Sequence, residues 1–261
     1  MPEGHTIHRL AREHNRLLAG HRVVASSPQG RFADGAARID DRVLERTDAY
    51  GKHLFHRYGD VWLHVHLGLY GKFTTGALPA PEPRGALRLR LLADGHWVDL
   101  RGPTSCELML PPEVAAVRAR LGPDPLGRDA DPERAWAKLS RSRMAVGALM
   151  MDQTVVAGIG NVYRAEILYR HRLEPHRPGR SIPRETWDAV WPDLVALMRA
   201  GVRSGRIVTT LPQDRPGGRL TRDKAHCVYR RAGLPCRVCG TEVRTEVMVG
   251  RKLYWCPTCQ R

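Results

Sequence analysis

The sequence predicts an α+β multidomain protein: an N-terminal antiparallel β-sandwich opened by a helix, a helical middle, and a C-terminal hairpin carried on cysteines. Three observations predict this. Short runs of alternating apolar and polar residues fill positions 22 to 110. Apolar residues recur at helical spacing from Val114 to about Ser204. Two C-x2-C pairs close the chain. The expected division is 1–113, 114–210 and 211–261.

The elements follow in order. Ile7, Leu10, Ala11, Leu17 and Leu18 lie at helical spacing, and Gly20 is a plausible stop. Val61, Leu63, Val65 and Leu67 alternate with Trp62, His64 and His66, which is strand spacing. Leu87, Leu89 and Leu91 alternate with Arg88 and Arg90, and Asp94-Gly95 reads as a hairpin turn into His96–Leu100. Residues 78–85 form a proline-rich loop between strands. A helix ending near Val156 should meet the tight turn Ala157-Gly158-Ile159-Gly160, with Asn161 as N-cap of the next helix. Two glycines beside a helix start let backbone N–H groups approach a phosphate, although on this segment alone a packed helix–turn–helix corner is the better reading. Residues 211–226, with Pro212, Pro216, Gly217 and Gly218, read as a linker or mobile loop.

The chain has 261 residues and a formal net charge of +15, from 42 Lys and Arg against 27 Asp and Glu. This excess points to a polyanionic partner, nucleic acid before membrane, because no basic amphipathic helix is visible. Only five of the 42 cations are Lys, so base composition of the gene could inflate Arg; it would not explain the shortage of acids. No apolar run approaches the roughly 18 residues needed to cross a bilayer, and the start shows no signal-peptide pattern. A cytoplasmic, nucleoid-associated, monomeric protein is expected.

Cys236, Cys239, Cys256 and Cys259 read C-x2-C, sixteen residues, C-x2-C. Each pair can place two thiolates on one turn, and four sulfurs close a tetrahedral Zn2+ site with no open position. Such a zinc folds its segment and does not catalyse. The alternative, two disulfides, suits an oxidising compartment. Cys106 and Cys227 fall outside the pattern. Glu242–Val249 and Lys252–Trp255 read as two strands around Gly250, a zinc ribbon with Arg251 near its tip. A cation there can meet a phosphate or simply be solvated. His64, His66 and His96 lack a carboxylate at a fixed offset, so no second metal is expected.

Four features then coincide: Met1-Pro2-Glu3-Gly4, Tyr50-Gly51-Lys52, Gly158-Ile159-Gly160-Asn161-Val162-Tyr163, and a four-cysteine ribbon ending Cys256-Pro-Thr-Cys259-Gln260. Together they resemble the formamidopyrimidine-DNA glycosylase and endonuclease VIII family of base-excision repair enzymes, over essentially the whole chain. Gly4-His5 and Leu69-Tyr70-Gly71 look more like the endonuclease VIII branch. The resemblance implies a β-sandwich, a helix–two-turn–helix domain and a zinc finger, with DNA in the cleft between domains.

It also implies residue roles. Once Met1 is removed, Pro2 offers a secondary amine. An α-amino group has a reference pKa about 2.5 units below that of Lys, so more of it is free base. Otherwise Pro2 merely permits removal of Met1. Glu3 is the matching general acid/base; a favourable charge at a helix start is the competing view. Lys52 would contact the phosphate beside the lesion and help catalysis, with a buried helper or a plain surface lysine as the competing view; Asn161 would bind a phosphate at the helix–two-turn–helix turn, and Arg251 would clamp one from the finger. Leu69, helped by Tyr70, would fill the gap left by an extruded base, unless Leu69 is core. Asp99-Leu100-Arg101-Gly102-Pro103-Thr104 carries the Arg of the formamidopyrimidine branch's insertion loop without its Phe, which leaves the opposite-base preference open. Residues 213–226 are expected over the extruded base. The expected function is a bifunctional glycosylase and abasic-site lyase for oxidised bases, pyrimidines before purines, on damaged DNA. A zinc-ribbon DNA-binding protein without catalysis is the alternative.

Overall fold

The computed structural model describes residues 2–211, 220–221 and 223–261. The chain divides between Arg120 and Leu121 into two compact units.

In the first unit, α1 (Gly4–Leu18) precedes β1 (Arg22–Ser26), α2 (Ala33–Ile39), β2 (Arg42–Val43), β3 (Arg46–Tyr50), β4 (His53–Tyr58), β5 (Val61–His66), β6 (Lys72–Ala77), β7 (Leu87–Ala93), β8 (His96–Arg101), β9 (Ser105–Met109) and α3 (Pro111–Ala119). The strands form two antiparallel sheets, β2-β1-β7-β8-β6 and β3-β4-β5-β9. Their shared core holds Leu54, Leu63, Val65, Leu89, Leu91, Val98 and Leu100, and α1 adds Ile7, Ala11 and Leu18. Full burial of each such aliphatic side chain contributes about 1.5–3 kcal/mol. The period-2 reading of β7 holds, since Leu87, Leu89 and Leu91 are fully buried. Asp94 (φ 45°) and Gly95 (φ 72°) make the predicted two-residue turn, whose twist matches the strands.

β5 departs from simple alternation because both its faces are covered. Trp62 and His64 point away from the core yet are buried. The guanidinium groups of Arg46 and Arg57 stand over the Trp62 ring at 5.2 and 5.7 Å, and α3 packs against the strand.

The second unit contains α4 (Pro132–Leu139), α5 (Val146–Leu149), α6 (Asn161–Arg170), α7 (Arg184–Ser204) and the hairpin β10 (Arg244–Met248) and β11 (Arg251–Trp255). One core gathers Leu139, Val156, Ile159, Tyr163, Ile167, Trp187 and Leu194. A smaller one joins Val162, Ala165 and Tyr169 of α6 to Val228, Val243 and Tyr254 of the finger.

Two sequence expectations are corrected here. The helix expected to run to Val156 ends at Leu149. Asp152 Oδ1 accepts from Thr154 N at 2.8 Å, an Asx turn that competes with helical bonding. Gln153 then braces the turns, donating to Met151 O and Ile159 O at 3.0 Å and accepting from Gly158 N at 2.9 Å. Asn161 is not the N-cap; it is the first helical residue, and Gly160 caps without a side chain. The stretch 213–226, expected over an extruded base, lies largely outside the described residues. Among the described residues, no helix is long and apolar enough to cross a membrane.

Candidate nucleic-acid interface and metal centre

Pro2 is half-buried at the start of α1, and Glu3 is completely buried as its N-cap residue. The Glu3 carbonyl accepts from Thr6 N at 2.8 Å and Ile7 N at 3.4 Å, so the first helical turn fixes this residue. His5, also buried, has its pKa lowered to about 4 by burial and, less, by the positive chain terminus. It is therefore neutral near pH 7.

Lys52 occupies the two-residue turn between β3 and β4, where Tyr50 pairs with His53. Gly51 supplies the positive φ of 57° that the first turn position requires. The charge of Lys52 is felt at both His53 and His66. His66 leads into the loop 67–71. Gly68 lies at φ 65°, and a Cβ on it would sit 1.9 Å from Thr104 Oγ1; one on Gly71 would sit 2.3 Å from Leu67 O. The loop is thereby locked at both ends, and Thr104 N donates to His66 O at 2.9 Å to hold it against the 101–104 turn. Its tip is apolar and open: Leu69 is 39% and Tyr70 87% exposed. Leu67, two residues earlier, is the core member of this segment. Arg101 lies beside the loop with its guanidinium engaged, donating to Asp99 Oδ2 at 2.9 Å and Thr74 Oγ1 at 3.2 Å.

In the second unit, Asn161 Nδ2 donates to Lys252 O at 2.8 Å, tying the start of α6 to the finger hairpin. Arg251 opens β11 directly after the turn Val249-Gly250. A groove of about 530 Å³ lies between the 144–152 segment and the hairpin tip, lined by Met144, Ala148, Met151, Asp152, Gly250 and Arg251. The structure thus brings the two-turn segment and the hairpin tip onto one surface.

Three further residues make that arrangement: Arg164 and Glu166, which sequence reading missed, and Gln260, which it noted only as the end of the ribbon motif. Arg164, fully buried, donates to Met248 O and Lys252 O, both at 3.3 Å, and to the Asn161 amide oxygen. Glu166, also fully buried, accepts from Cys227 N (2.7 Å), Val228 N (2.9 Å) and Tyr229 N (2.7 Å). Gln260 accepts from Cys256 N at 2.9 Å and donates to Leu173 O at 2.9 Å. In sequence, Arg164 and Glu166 read as charged helix residues turned toward solvent, although at i and i+2 they share no face. The burial of every residue from 161 to 169 removes that exposure.

The four ribbon cysteines have their Sγ atoms within 4.8 Å of one another. Cys236 and Cys259 are 3.9 Å apart and Cys239 and Cys256 3.4 Å. A tetrahedron with zinc–sulfur bonds of about 2.3 Å has edges of about 3.8 Å, so the cluster fits the ion. Hydrogen bonding by Thr241 brings the Cys239 thiol down to about 6, toward the thiolate a metal needs. The finger carries one structural zinc.

Comparison with known proteins covers the same regions. Residues 1–106 match the formamidopyrimidine-DNA glycosylase N-terminal domain, 121–213 the H2TH domain of that enzyme, and 233–261 the zinc finger found in FPG and IleRS. Endonuclease 8 1 of Mycobacterium tuberculosis is 55% identical over 267 residues, covering 100% of both chains. The formamidopyrimidine-DNA glycosylase of Thermus thermophilus is 33% identical, covering 100% of this chain and 98% of that one. Among solved structures, the MutM (Fpg) protein of Thermus thermophilus superposes with a TM-score of 0.80 at 29% identity, over 99% of this chain and 98% of that one. The Lactococcus lactis Fpg complex with abasic-site DNA gives 0.82 at 20% identity over 99% of each, a likeness of fold. With full-length identity of 55% to an endonuclease 8 and all three domains matched in order, the chain belongs to the formamidopyrimidine-DNA glycosylase and endonuclease VIII family of base-excision repair glycosylases.

Proposed function

We propose that the protein is a bifunctional DNA glycosylase and abasic-site lyase that removes oxidised bases, pyrimidines in particular. The observation that carries the reading is Pro2 beside a fully buried Glu3, held at the start of α1 in a chain 55% identical to an endonuclease 8. A protein that only bound DNA would need neither an amine there nor a carboxylate shielded from water.

With Met1 removed, the Pro2 nitrogen lone pair attacks C1′ of the damaged nucleotide. The C1′–N bond breaks, and the base leaves with its electron pair and a proton relayed by Glu3. Ring opening gives an iminium between Pro2 and the sugar. The iminium accepts electrons, so loss of a C2′ proton expels the 3′ phosphate; a second elimination expels the 5′ phosphate, and water releases Pro2. Lys52 contacts the phosphate beside the lesion and assists the catalytic steps there, Asn161 and Arg251 hold backbone phosphates, and Leu69 with Tyr70 fills the space the base vacates. The zinc supplies no chemistry; it rigidifies the hairpin bearing Arg251. Division of labour between the sandwich (1–113), the helical part (114–210) and the linker and finger (211–261) follows this reading.

Borohydride added during reaction with abasic duplex DNA should trap a covalent complex. Pro2→Gly should lose trapping, and Glu3→Gln should lose excision of an oxidised pyrimidine by at least about 100-fold while retaining DNA binding. Wild-type cleavage by both variants would refute the assignment. Equal excision of oxidised purines would refute only the pyrimidine preference.

A further inference from the structure

On the outer face of the four-stranded sheet, histidines form a chain that none of the steps above uses. His64 Nδ1 lies 3.0 Å from Glu107 Oε1, and His64 Nε2 lies 2.8 Å from His53 Nδ1. Strand register makes this possible: His64 pairs with Glu107 across β5–β9, and His53 with His66 across β4–β5. The His53 ring stacks on His64 (5.1 Å between centroids) and leans on His66 (5.0 Å). Phe55, under the Arg118 guanidinium, continues the stack at 5.1 Å from His64.

The proton positions follow from chemistry. An ionised carboxylate only accepts, so His64 Nδ1 carries the proton given to Glu107. Neutral His64 then offers Nε2 as an acceptor, and His53 must donate from Nδ1. Glu107 thereby fixes the tautomer and ring orientation of His53, two hydrogen bonds away. His53 immediately follows Lys52 in the turn and touches His66, which opens the loop bearing Leu69 and Tyr70. Lys52, His64, His66 and Arg120 are the charged or titratable groups acting on it.

We propose that Glu107, His64 and His53 are positioning residues for Lys52. They hold the β3–β4 turn against the start of the 67–71 loop, so that the ammonium group and the apolar tip approach the damaged strand in fixed relation. This rests on the role given to Lys52 above.

Two replacements of His53 separate its nitrogens. Asn places its amide near Nδ1 and keeps the donor to His64; Gln reaches toward Nε2 and loses it. In single-turnover strand cleavage, His53→Gln and Glu107→Ala should each slow the reaction about 10-fold, with affinity for an abasic-analogue duplex within about twofold of wild type. His53→Asn should retain the wild-type rate. Glu107 is half-exposed, so Glu107→Ala tests the chain even if His53→Gln fails to fold. In a Lys52→Ala background, His53→Gln and Glu107→Ala should add no further loss. Losses that multiply with Lys52→Ala, or wild-type rates for both variants, overturn the positioning role alone. A wild-type rate for Lys52→Ala itself overturns the reading of Lys52 and this proposal with it.

Discussion

The two units solve the problem of interior polarity in different ways. The first buries one ion pair, Arg90 with Asp99 at 2.7 and 2.9 Å, and keeps its buried histidines neutral. His14 on α1 and His56 on β4 are both completely buried, with His14 Nδ1 2.9 Å from His56 Nε2. Burial lowers the His14 pKa to about 3, and His56 is depressed by burial and then by His14. The second unit buries polar groups and satisfies them: Arg164 meets carbonyls of the hairpin, Glu166 gathers three backbone N–H groups, and four cysteine sulfurs gather within 4.8 Å of one another, as a zinc site requires. A sandwich with two apolar faces can stand on its core alone. A finger with a small core depends on polar anchors, each of which leaves a costly orphan when removed.

The largest test of this difference is zinc removal. Structural zinc sites bind with on the order of 10 kcal/mol, and that energy is folding energy for their segment. Chelation should unfold residues 233–261 and collapse DNA affinity through loss of the surface under Arg251. The calorimetric transition of the first unit should stay in place. A common shift of both transitions would show that the sandwich shares the finger's dependence.

The same contrast decides what can be read from the sequence. Cysteine spacing exposes the ribbon because metal geometry demands it, and Leu87, Leu89 and Leu91 expose β7 because one of its faces is core. Pro2, Glu3 and Lys52 stand out only through the family resemblance, since none has a local pattern. His14 falls at 7, 11, 14 and 18, the buried stripe of α1, but its polarity hides it. Arg164 and Glu166 are illegible for a different reason. Their partners are main-chain atoms roughly 60 to 90 residues away, and backbone donors and acceptors have no sequence signature. The end of α5 is hidden because Asp152 and Gln153, both acceptable in a helix, bond to turns instead.

Acid should separate the units next. A histidine whose folded pKa is depressed contributes stability above its unfolded value near 6.5 and loses it as pH falls through the folded value. His14, at about 3, therefore loses stability between pH 6.5 and 3, roughly 2 kcal/mol of it by pH 5. His5 and His53, at about 4 and about 3, act in the same direction. His176 of the second unit is opposite. Burial alone would lower it, but carboxylates of Glu174 and Glu246 on its two ring nitrogens raise it. Its contribution is complete below pH 6.5 and fades as pH rises through the raised value. Urea titrations at pH 7.5 and 5, with zinc kept saturating so that protonation of the cysteines does not release it, should show the first unit losing most of its stability while the second changes little. Equal losses would mean that the buried histidines are not what distinguishes the sandwich.

The smallest effect lies at the hairpin tip. Val249 sits at φ 48°, a left-handed conformation that a β-branched side chain adopts only under strain, and Gly250 follows at 69°. Asparagine is the favoured residue before glycine in such a turn. Val249→Asn should therefore stabilise the finger by about 1 kcal/mol, raising the second transition by about 3 °C. Val249 is 56% exposed and lines the groove with Met144 and Ala148. If the substitution gains stability and leaves DNA affinity intact, the strain is an incidental flaw in the metal-held half. A gain in stability with a loss of affinity would mean instead that the valine is kept at its strained φ for an apolar contact with DNA beside Arg251.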